Sequence, residues 1–407
     1  MYDVAIIGFG RVGLPLGFSL EEAGLNVAAI DLNHEALNRS ISNKTMPFKE
    51  PGYDELIKTT NIKVYKPSEY PEASKYIITV GTPLDNHIET NLTAVNKVIA
   101  TLFSQIDMRN KTIILRSTVA PHTTKHIKNV IELNSKYKVG ENVYLAMCPE
   151  RIVEGKAYEE LKELPQIIGA EDDISFNKAQ SVFNLFNITI HRTTYIEAEL
   201  SKLFTNIYRY INFAIPNYFA YIASTFNVDV FDLFKAMNTG YKRNDGLKLP
   251  GFASGTCLRK DFGMINEYFP QTDMILQAYK INEFMPKFYV DSVEEEIQGK
   301  TIGILGYTMK KDTDDIRDSL IPKMIRYIER LVPKEVYIND PNLTENIIDE
   351  DKTFVNYSID EVLNKSDIVF IAMNHSEYSN MDKQKLNGKI VVDIWGILGG
   401  TIVNDFR

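Results

Sequence analysis

Short aliphatic and β-branched runs alternate with amphipathic stretches twice along this chain, and the second series echoes the first. Val4–Ile7, Val27–Ile30, Tyr76–Val80, Ile113–Leu115 and Val143–Met147 have the continuous apolar character of strands buried on both faces. Helical patterns and polar turns separate most of them, which predicts parallel βαβ units with right-handed crossovers. Thr301–Leu305, Val336–Ile338, Ile368–Ala372 and Ile390–Asp393 form the second series. There TIGILGYT repeats the pattern of VAIIGFGR, VYINDPN that of VAAIDLN, and DIVFIAMNH that of YIITVGTP. The period is a whole nucleotide-binding half rather than a short solenoid repeat.

Between the two series the period changes. From Glu197 to Phe226, Leu200, Leu203, Phe204, Ile207, Ile211 and Ala214 recur at helical spacing. A helix of about 30 residues would be about 45 Å long, and Pro216 should bend it. Phe204, Tyr208, Tyr210, Phe213, Tyr218, Phe219 and Tyr221 give it more apolar surface than a lone helix can carry. It should therefore both join two domains and form a dimer interface. Further helical patterns cover Val230–Met237 and Phe262–Phe269. The fold class expected is α/β, with two Rossmann-like doubly wound domains joined by a central helical domain: residues 1–193, 194–297 and 298–407. A chain of 407 residues is too long for one core and accommodates this division.

Composition narrows the partners. Hydrophobic residues at 44% and charged residues at 24% are ordinary for a soluble globular protein. The net charge of -9 argues against nucleic acid or an anionic membrane as partner. Cys148 and Cys257 are the two cysteines, too few and too far apart for a disulfide framework, so a reducing, cytoplasmic setting is expected. MYDVAIIGFG has the pattern of a first strand rather than a signal peptide. No apolar run approaches the roughly 18–20 residues of a membrane span.

Gly8-Phe9-Gly10-Arg11-Val12-Gly13 is a GxGxxG placed directly after a strand and before a helical pattern, and Asp31 closes the second strand. Gly8 permits the tight turn, Gly10 lets the backbone approach a pyrophosphate at the helix N-terminus, and Gly13 lets helix and strand pack closely. Asp31 can accept from adenine-ribose hydroxyls, and its charge would repel a 2′-phosphate, so the cofactor expected is NAD. Thr82 and Thr118 follow the next strands, where ligands bind in open α/β sheets. A glycine-rich turn with no cofactor is the plainer alternative.

Four patches carry chemistry-bearing side chains: the run Cys148–Gly155 with Glu150, Arg151 and Glu154; Lys202 with Asn206, spaced i,i+4; the stretch Gly251–Asp261 with Cys257, Lys260 and Asp261; and Lys310, Lys311 and Asp312 with Asp315, Arg317 and Asp318. Cys257 lies in a loop of small residues before a helical pattern, where a helix N-terminus and lysines favour the thiolate. Cys148, at a strand end beside a proline, suits a small buried hydrophobe. On the residues alone Lys202 and Asn206 better suit a solvated helix face, Glu150 with Arg151 suits a weak surface ion pair, and 310–318 a solvated charge cluster. His122 and His126 share i,i+4 spacing but have no evident third ligand, so no metal site is expected.

GxGxxGLP at 8–15, VGTPLD at 80–85, STVAP at 117–121, PER at 149–151, ExxKxxxN at 199–206, GTCLRKD at 255–261 and KKDTDDIRDS at 310–319 occur in one order. In these motifs the chain resembles the UDP-glucose/GDP-mannose dehydrogenase family along nearly its whole length. The resemblance implies a four-electron oxidation of a UDP-sugar 6-hydroxymethyl to a carboxylate, with two NAD used in turn and a thiohemiacetal, then a thioester, on Cys257. It assigns catalysis to Cys257, Lys202, Asn206 and Asp261, assisted by Glu150 and Thr118. Gly8, Gly10, Arg11, Val12, Gly13, Asp31, Thr82 and Thr118 would hold NAD. Glu150, Arg151, Glu154, Lys202, Asn206, Arg243, Gly251, Lys260 and Lys310 would hold the UDP-sugar, Arg243 reaching from a neighbouring subunit of a homodimer. Polysaccharide-precursor supply is the role implied.

The chain departs from the family at Ala253 and Ser254, where many members have glycines, and at Arg151, where many UDP-glucose enzymes have an aromatic residue. Pro-Glu-Arg is similar to members acting on UDP-N-acetylhexosamines, which favours N-acetylmannosamine or N-acetylglucosamine over glucose, or over a GDP-mannose substrate. Two other classes compete: a two-electron 3-hydroxyacid-type dehydrogenase, which leaves Cys257 without a task, and a non-catalytic nucleotide-binding protein.

Overall fold

The computed structural model describes the chain apart from positions 86–88, 267, 270–272, 345, 350–351, 400–401 and 406–407. It divides into two compact units, Met1–Thr205 with Lys260–Gln271, and Asn206–Arg259 with Thr272–Arg407.

The first unit is built on an eight-stranded sheet. Its strands are β1 (Tyr2–Ile7), β2 (Val27–Ile30), β3 (Lys63–Tyr65), β4 (Ala73–Ile78), β5 (Thr112–Leu115), β6 (Tyr144–Met147), β7 (Gln166–Gly169) and β8 (Ile190–Thr193). Their order is β3-β2-β1-β4-β5-β6-β7-β8, parallel except between β6 and β7. The first six reproduce the doubly wound order that places a ligand crevice at the carboxyl ends of the central strands. β2, β5 and β6 are buried at every position, as a parallel sheet covered on both faces demands. Val4, Ile6, Ala29 and Ile114 pack with Leu14, Phe18 and Leu20 on one face. Ala5, Ile7, Ile78 and Leu115 pack with Val98 and Leu102 on the other.

The second unit has a five-stranded sheet ordered β10-β9-β13-β14-β15 and a separate hairpin. These strands are β9 (Thr301–Leu305), β10 (Glu335–Asn339), β11 (Asn346–Asp349), β12 (Lys352–Val355), β13 (Ile368–Ile371), β14 (Ile390–Asp393) and β15 (Val403–Asp405). Ile302 and Ile304 face Met324, Ile325 and Ile328, together with Phe288 and Tyr289. Leu305, Val369 and Ile371 face Val362 and Leu363.

The repeat extends to individual hydrogen bonds. Gly8, at φ +97°, donates its N–H to Ile30 O (2.8 Å), and the Phe9 N–H donates to Asp31 Oδ2 (2.7 Å). Gly306, at φ +103°, donates to Asn339 O (2.7 Å), and the Tyr307 N–H donates to Asp340 Oδ2 (2.7 Å). Each unit thus turns out of its first strand on a left-handed glycine, and the residue after that glycine is tethered by the acid that closes the second strand.

The long helix runs over Tyr195–Thr225, 31 residues, and continues through Pro216. Two expectations change. The helix expected at Phe262–Phe269 starts earlier and spans Thr256–Asn266, so Cys257 lies in its first turn rather than in a preceding loop; position 267 lies outside the described residues. The strand expected to reach Val80 ends at Ile78, because the Arg116 and Ser117 N–H groups both donate to Ile78 O. β3, β8 and the β11–β12 hairpin, which are short and have few buried positions, were not expected, nor were the short strand β7 and the helix Asp273–Asp291.

Candidate active site

In the first unit the dinucleotide turn has the steric properties that a pyrophosphate requires. A Cβ on Gly8 would stand 2.9 Å from the backbone at Thr79 and Val80, whereas Gly10 has open space around it. Gly13 opens the helix Gly13–Glu22 directly after Val12, and the Leu14 N–H closes on Gly10 O at 2.9 Å. Asp31 receives the Phe9 N–H on Oδ2 and the Asn33 N–H on Oδ1, each at 2.7 Å, which orients its carboxylate and leaves lone pairs for ribose hydroxyls. These residues fit NAD. Arg11 is paired with Glu154 and lies over the Phe48 ring. A cofactor residue and a substrate residue expected from the sequence therefore hold each other.

Thr82, Thr118, Lys260 and Asp261 come together in this unit. The buried Thr82 hydroxyl donates to Thr118 O (2.5 Å) and lies 3.2 Å from Lys260 Nζ, which is 3.6 Å from Asp261 Oδ1. Asp261 is fully buried with a cation beside it. Lys202 and Asn206 are buried too, 6% and 2% exposed, so the solvated-face alternative for this pair is wrong. A lysine and an amide one helical turn apart and out of bulk water present a cation and a donor from one face, the arrangement that stabilises a developing oxyanion.

Sequence reasoning gave Glu199 no task, although it lies in the ExxKxxxN motif. It is 1% exposed, and its carboxylate accepts from His122 N–H (2.7 Å), Thr124 N–H (2.6 Å) and Thr124 Oγ1 (2.6 Å). It thereby caps the helix Thr123–Asn134 from the long helix and ties the turn carrying Lys202 to the segment that follows Thr118. Burial pushes its carboxyl up, and these hydrogen bonds partly offset the push. Glu50 was missed for want of any local signal. Buried 105 positions upstream, it accepts the Gly155 and Ala157 N–H groups, each at 2.9 Å, and so holds the loop after Pro149-Glu150-Arg151. In that loop Glu150 accepts the Ile152 N–H and Arg151 donates to Pro165 O.

In the second unit, the stretch from Gly251 is clamped at three points. The Gly251 N–H donates to Asn217 Oδ1 (2.9 Å), Asn217 donates to Asn282 (3.0 Å), and Asn282 donates to Tyr210 O (3.2 Å), both asparagines being wholly buried. A Cβ on Gly251 would meet the Trp395 ring at 2.6 Å. The Gly255 N–H donates to Asp318 O (3.2 Å), and Arg259 pairs with Asp318 and Glu283, each at 2.9 Å. The Cys257 segment is therefore fastened to the 310–318 loop, whose Asp315 is itself buried and paired with Arg317, while Lys311, Arg317 and Asp318 are exposed as in a solvated charge cluster. Lys310 is half-buried, and Arg243 is exposed in the short turn Lys242–Asn244.

The two cysteines separate as expected. Cys257 is exposed within the first turn of its helix, where the helix-terminal N–H groups favour a thiolate. Cys148 is wholly buried, and burial pushes its thiol up to about 12. Among the described residues no three His, Cys, Asp or Glu side chains are grouped to hold a metal. No helix among them is long and apolar enough to cross a membrane.

Comparison with known proteins agrees with this geometry. The NAD-binding domain of the UDP-glucose/GDP-mannose dehydrogenase family matches residues 2–187, its central domain 196–283 and its UDP-binding domain 303–400. The UDP-N-acetyl-D-mannosamine dehydrogenase of Methanocaldococcus jannaschii is 31% identical, over 97% of this chain and 92% of its own length. Among solved structures, the UDP-D-ManNAc dehydrogenase from Pyrococcus horikoshii superposes with a TM-score of 0.87 at 27% identity, covering 97% of this chain and 96% of its own. The UDP-N-acetyl-mannosamine dehydrogenase from Staphylococcus aureus does so with 0.85 at 26%, covering 98% and 96%. With the dinucleotide turn, the buried lysine–asparagine pair and the exposed helix-borne thiol in place, the chain belongs to the UDP-glucose/GDP-mannose dehydrogenase family of NAD-dependent nucleotide-sugar oxidoreductases.

Proposed function

We propose that this chain oxidises the 6-hydroxymethyl of UDP-N-acetyl-D-mannosamine to the uronic acid, with Cys257 as the covalent nucleophile. The observation that carries the mechanism is the contrast between two thiols: Cys257 is exposed at a helix N-terminus and Cys148 is sealed in the core. Relatives named for N-acetylmannosamine and Arg151 after Pro149-Glu150 support the sugar.

NAD, held by the 8–13 turn and Asp31, would supply the hydride acceptor for each of the two oxidations. Lys202, aided by Asn206, holds the sugar oxygen and stabilises its negative charge as C6 loses hydride and the hydroxyl loses its proton. The Cys257 thiolate adds to the resulting aldehyde carbon, and the oxygen takes up a proton to give a thiohemiacetal. Loss of that proton and a second hydride leaves a thioester on Cys257. Water held by Thr118 and Glu150 attacks it; the C–S bond breaks, the thiol is regenerated and the carboxylate leaves. Asp261 supports Lys260 and the electrostatics of these steps. The turn carrying Lys310 takes the UDP.

The same reading divides the chain into domains 1–193, 194–297 and 298–407 and makes it a homodimer. Tyr208, Tyr218, Tyr221 and Phe226 of and after the long helix are exposed, apolar surface that a second copy would cover, with Arg243 then offered to its site. The test is NADH production across UDP-N-acetylmannosamine, UDP-N-acetylglucosamine, UDP-glucose and GDP-mannose. Two NADH per UDP-N-acetylmannosamine and loss of turnover in Cys257→Ala with NAD binding retained are expected. One NADH per sugar, or an unimpaired Cys257→Ala variant, refutes the covalent route; preference for another sugar refutes the substrate.

A further inference from the structure

The first strand of the second unit is followed by a turn, Thr308 to Thr313, that a buried imidazole contacts near both ends. His375 is wholly buried after β13. Its Nδ1 lies 2.9 Å from the Asp312 backbone N and 3.0 Å from Asn342 Nδ2. A backbone N–H can only donate, so Nδ1 accepts and the ring proton sits on Nε2. That proton faces Asp340 Oδ2 at 3.1 Å and Thr308 Oγ1 at 3.2 Å. Asp340 also receives the Tyr307 and Thr308 N–H groups, at 2.7 and 2.9 Å.

The turn is also fastened to the residue that follows His375. Asp312, in the left-handed region at φ +57°, accepts from the Ser376 N–H (2.9 Å) and hydroxyl (2.6 Å). Thr308 Oγ1 and Thr313 Oγ1 both donate to Lys310 O, at 3.1 and 2.9 Å. The backbone that presents Lys310 is thus pinned at its carbonyl, and both ends of the turn lead back to His375. Two basic side chains on a fixed turn, after a left-handed glycine, at the carboxyl end of a parallel strand, are suited to a diphosphate.

We propose that His375, in its Nε2–H form, is the positioning residue for nucleoside-diphosphate binding, setting the 308–313 turn from which Lys310 meets the phosphates. This rests on the reading above that Lys310 serves the UDP end. The acceptor at Nδ1 is the decisive atom, because it meets the N–H of Asp312, a non-glycine residue held at positive φ. Tyr378, whose ring packs edge-on against His375 at 5.5 Å between centroids, backs the imidazole from behind.

The test uses the full chain and UDP as probe, with His375→Phe, His375→Asn, His375→Gln and Lys310→Ala. Asparagine retains an acceptor near the Nδ1 position, and glutamine retains a donor near Nε2. UDP affinity and the KM for sugar nucleotide should weaken about tenfold or more in His375→Phe and His375→Gln, and His375→Asn should recover most of the loss, while NAD affinity and kcat at saturation stay within about threefold. Equal losses in the asparagine and glutamine variants, or parallel loss of UDP and NAD binding, would show a space-filling role and overturn the proposal. So would wild-type UDP affinity in a folded His375→Phe variant. Unchanged UDP affinity in Lys310→Ala fails the Lys310 reading instead, while the asparagine-to-glutamine comparison still decides the imidazole's role.

Discussion

Replacing Glu199 with glutamine tests the joint between the long helix and the Thr118 segment. The carboxylate accepts three hydrogen bonds, two on Oε1 and one on Oε2. Glutamine best turns its oxygen to Thr124, which leaves its NH2 against the His122 N–H, donor facing donor. One charge-assisted bond is lost and two become neutral. After relief of the cost of burying a charge, the net loss at pH 7 is about 2–4 kcal/mol. Amide exchange reads this locally: protection at Thr124 should fall by roughly 30- to 1,000-fold, 1.4 kcal/mol being tenfold. Burial raises the Glu199 carboxyl, so the folded state keeps its proton to higher pH than the unfolded chain. The stability linked to this proton is full below the unfolded value of about 4.3 and is lost as pH rises through the folded value. Protonated glutamate retains a hydroxyl oxygen able to accept from His122, whereas glutamine does not, so the gap between wild type and variant should widen as pH falls from 7 toward 4.5. Protection at Thr124 unchanged in the variant, or a gap that narrows in acid, refutes the capping role.

Iodoacetamide should label Cys257 in the native protein and reach Cys148 only in denaturant, as peptide mass spectrometry will show; equal native labelling would contradict the burial contrast. Gly251→Ala should cost about 1–3 kcal/mol through its clash with Trp395 and shift the Cys257 segment, lowering kcat more than it raises the KM for NAD; wild-type kinetics would show that the ring yields freely. Burial alone would raise the Asp340 and Asp312 carboxyls, but hydrogen bonds from His375 and the Tyr307 and Thr308 amides, and from Ser376, hold them below the usual range. Their contribution is therefore present above the unfolded value of about 4 and is lost as pH falls through the folded values. Asp340→Asn should lessen the second unit's loss of protection as pH falls below the unfolded value, measured by amide exchange, and an unaltered acid profile would refute this.

Local pattern was enough for the strands that form the sheet centres, because a strand covered on both faces must be apolar throughout, as Val4 to Ile7 and Ile302 to Leu305 are. It was also enough for the dinucleotide turn, where Gly8 and Asp31 answer steric and hydrogen-bonding needs met within one βαβ unit, and for telling Cys257 from Cys148. Edge strands such as β3 and β8 bury too little to leave a pattern. What only the tertiary structure decided is which polar residues lie inside. Lys202 and Asn206 look solvated in sequence, and Glu199, Glu50 and His375 look idle, because a buried charge or imidazole is stable only where donors from distant segments converge on it. Those donors, from His122 to Glu199 and from Asp312 to His375, are separated by tens of residues, and no local window contains both halves of the bond.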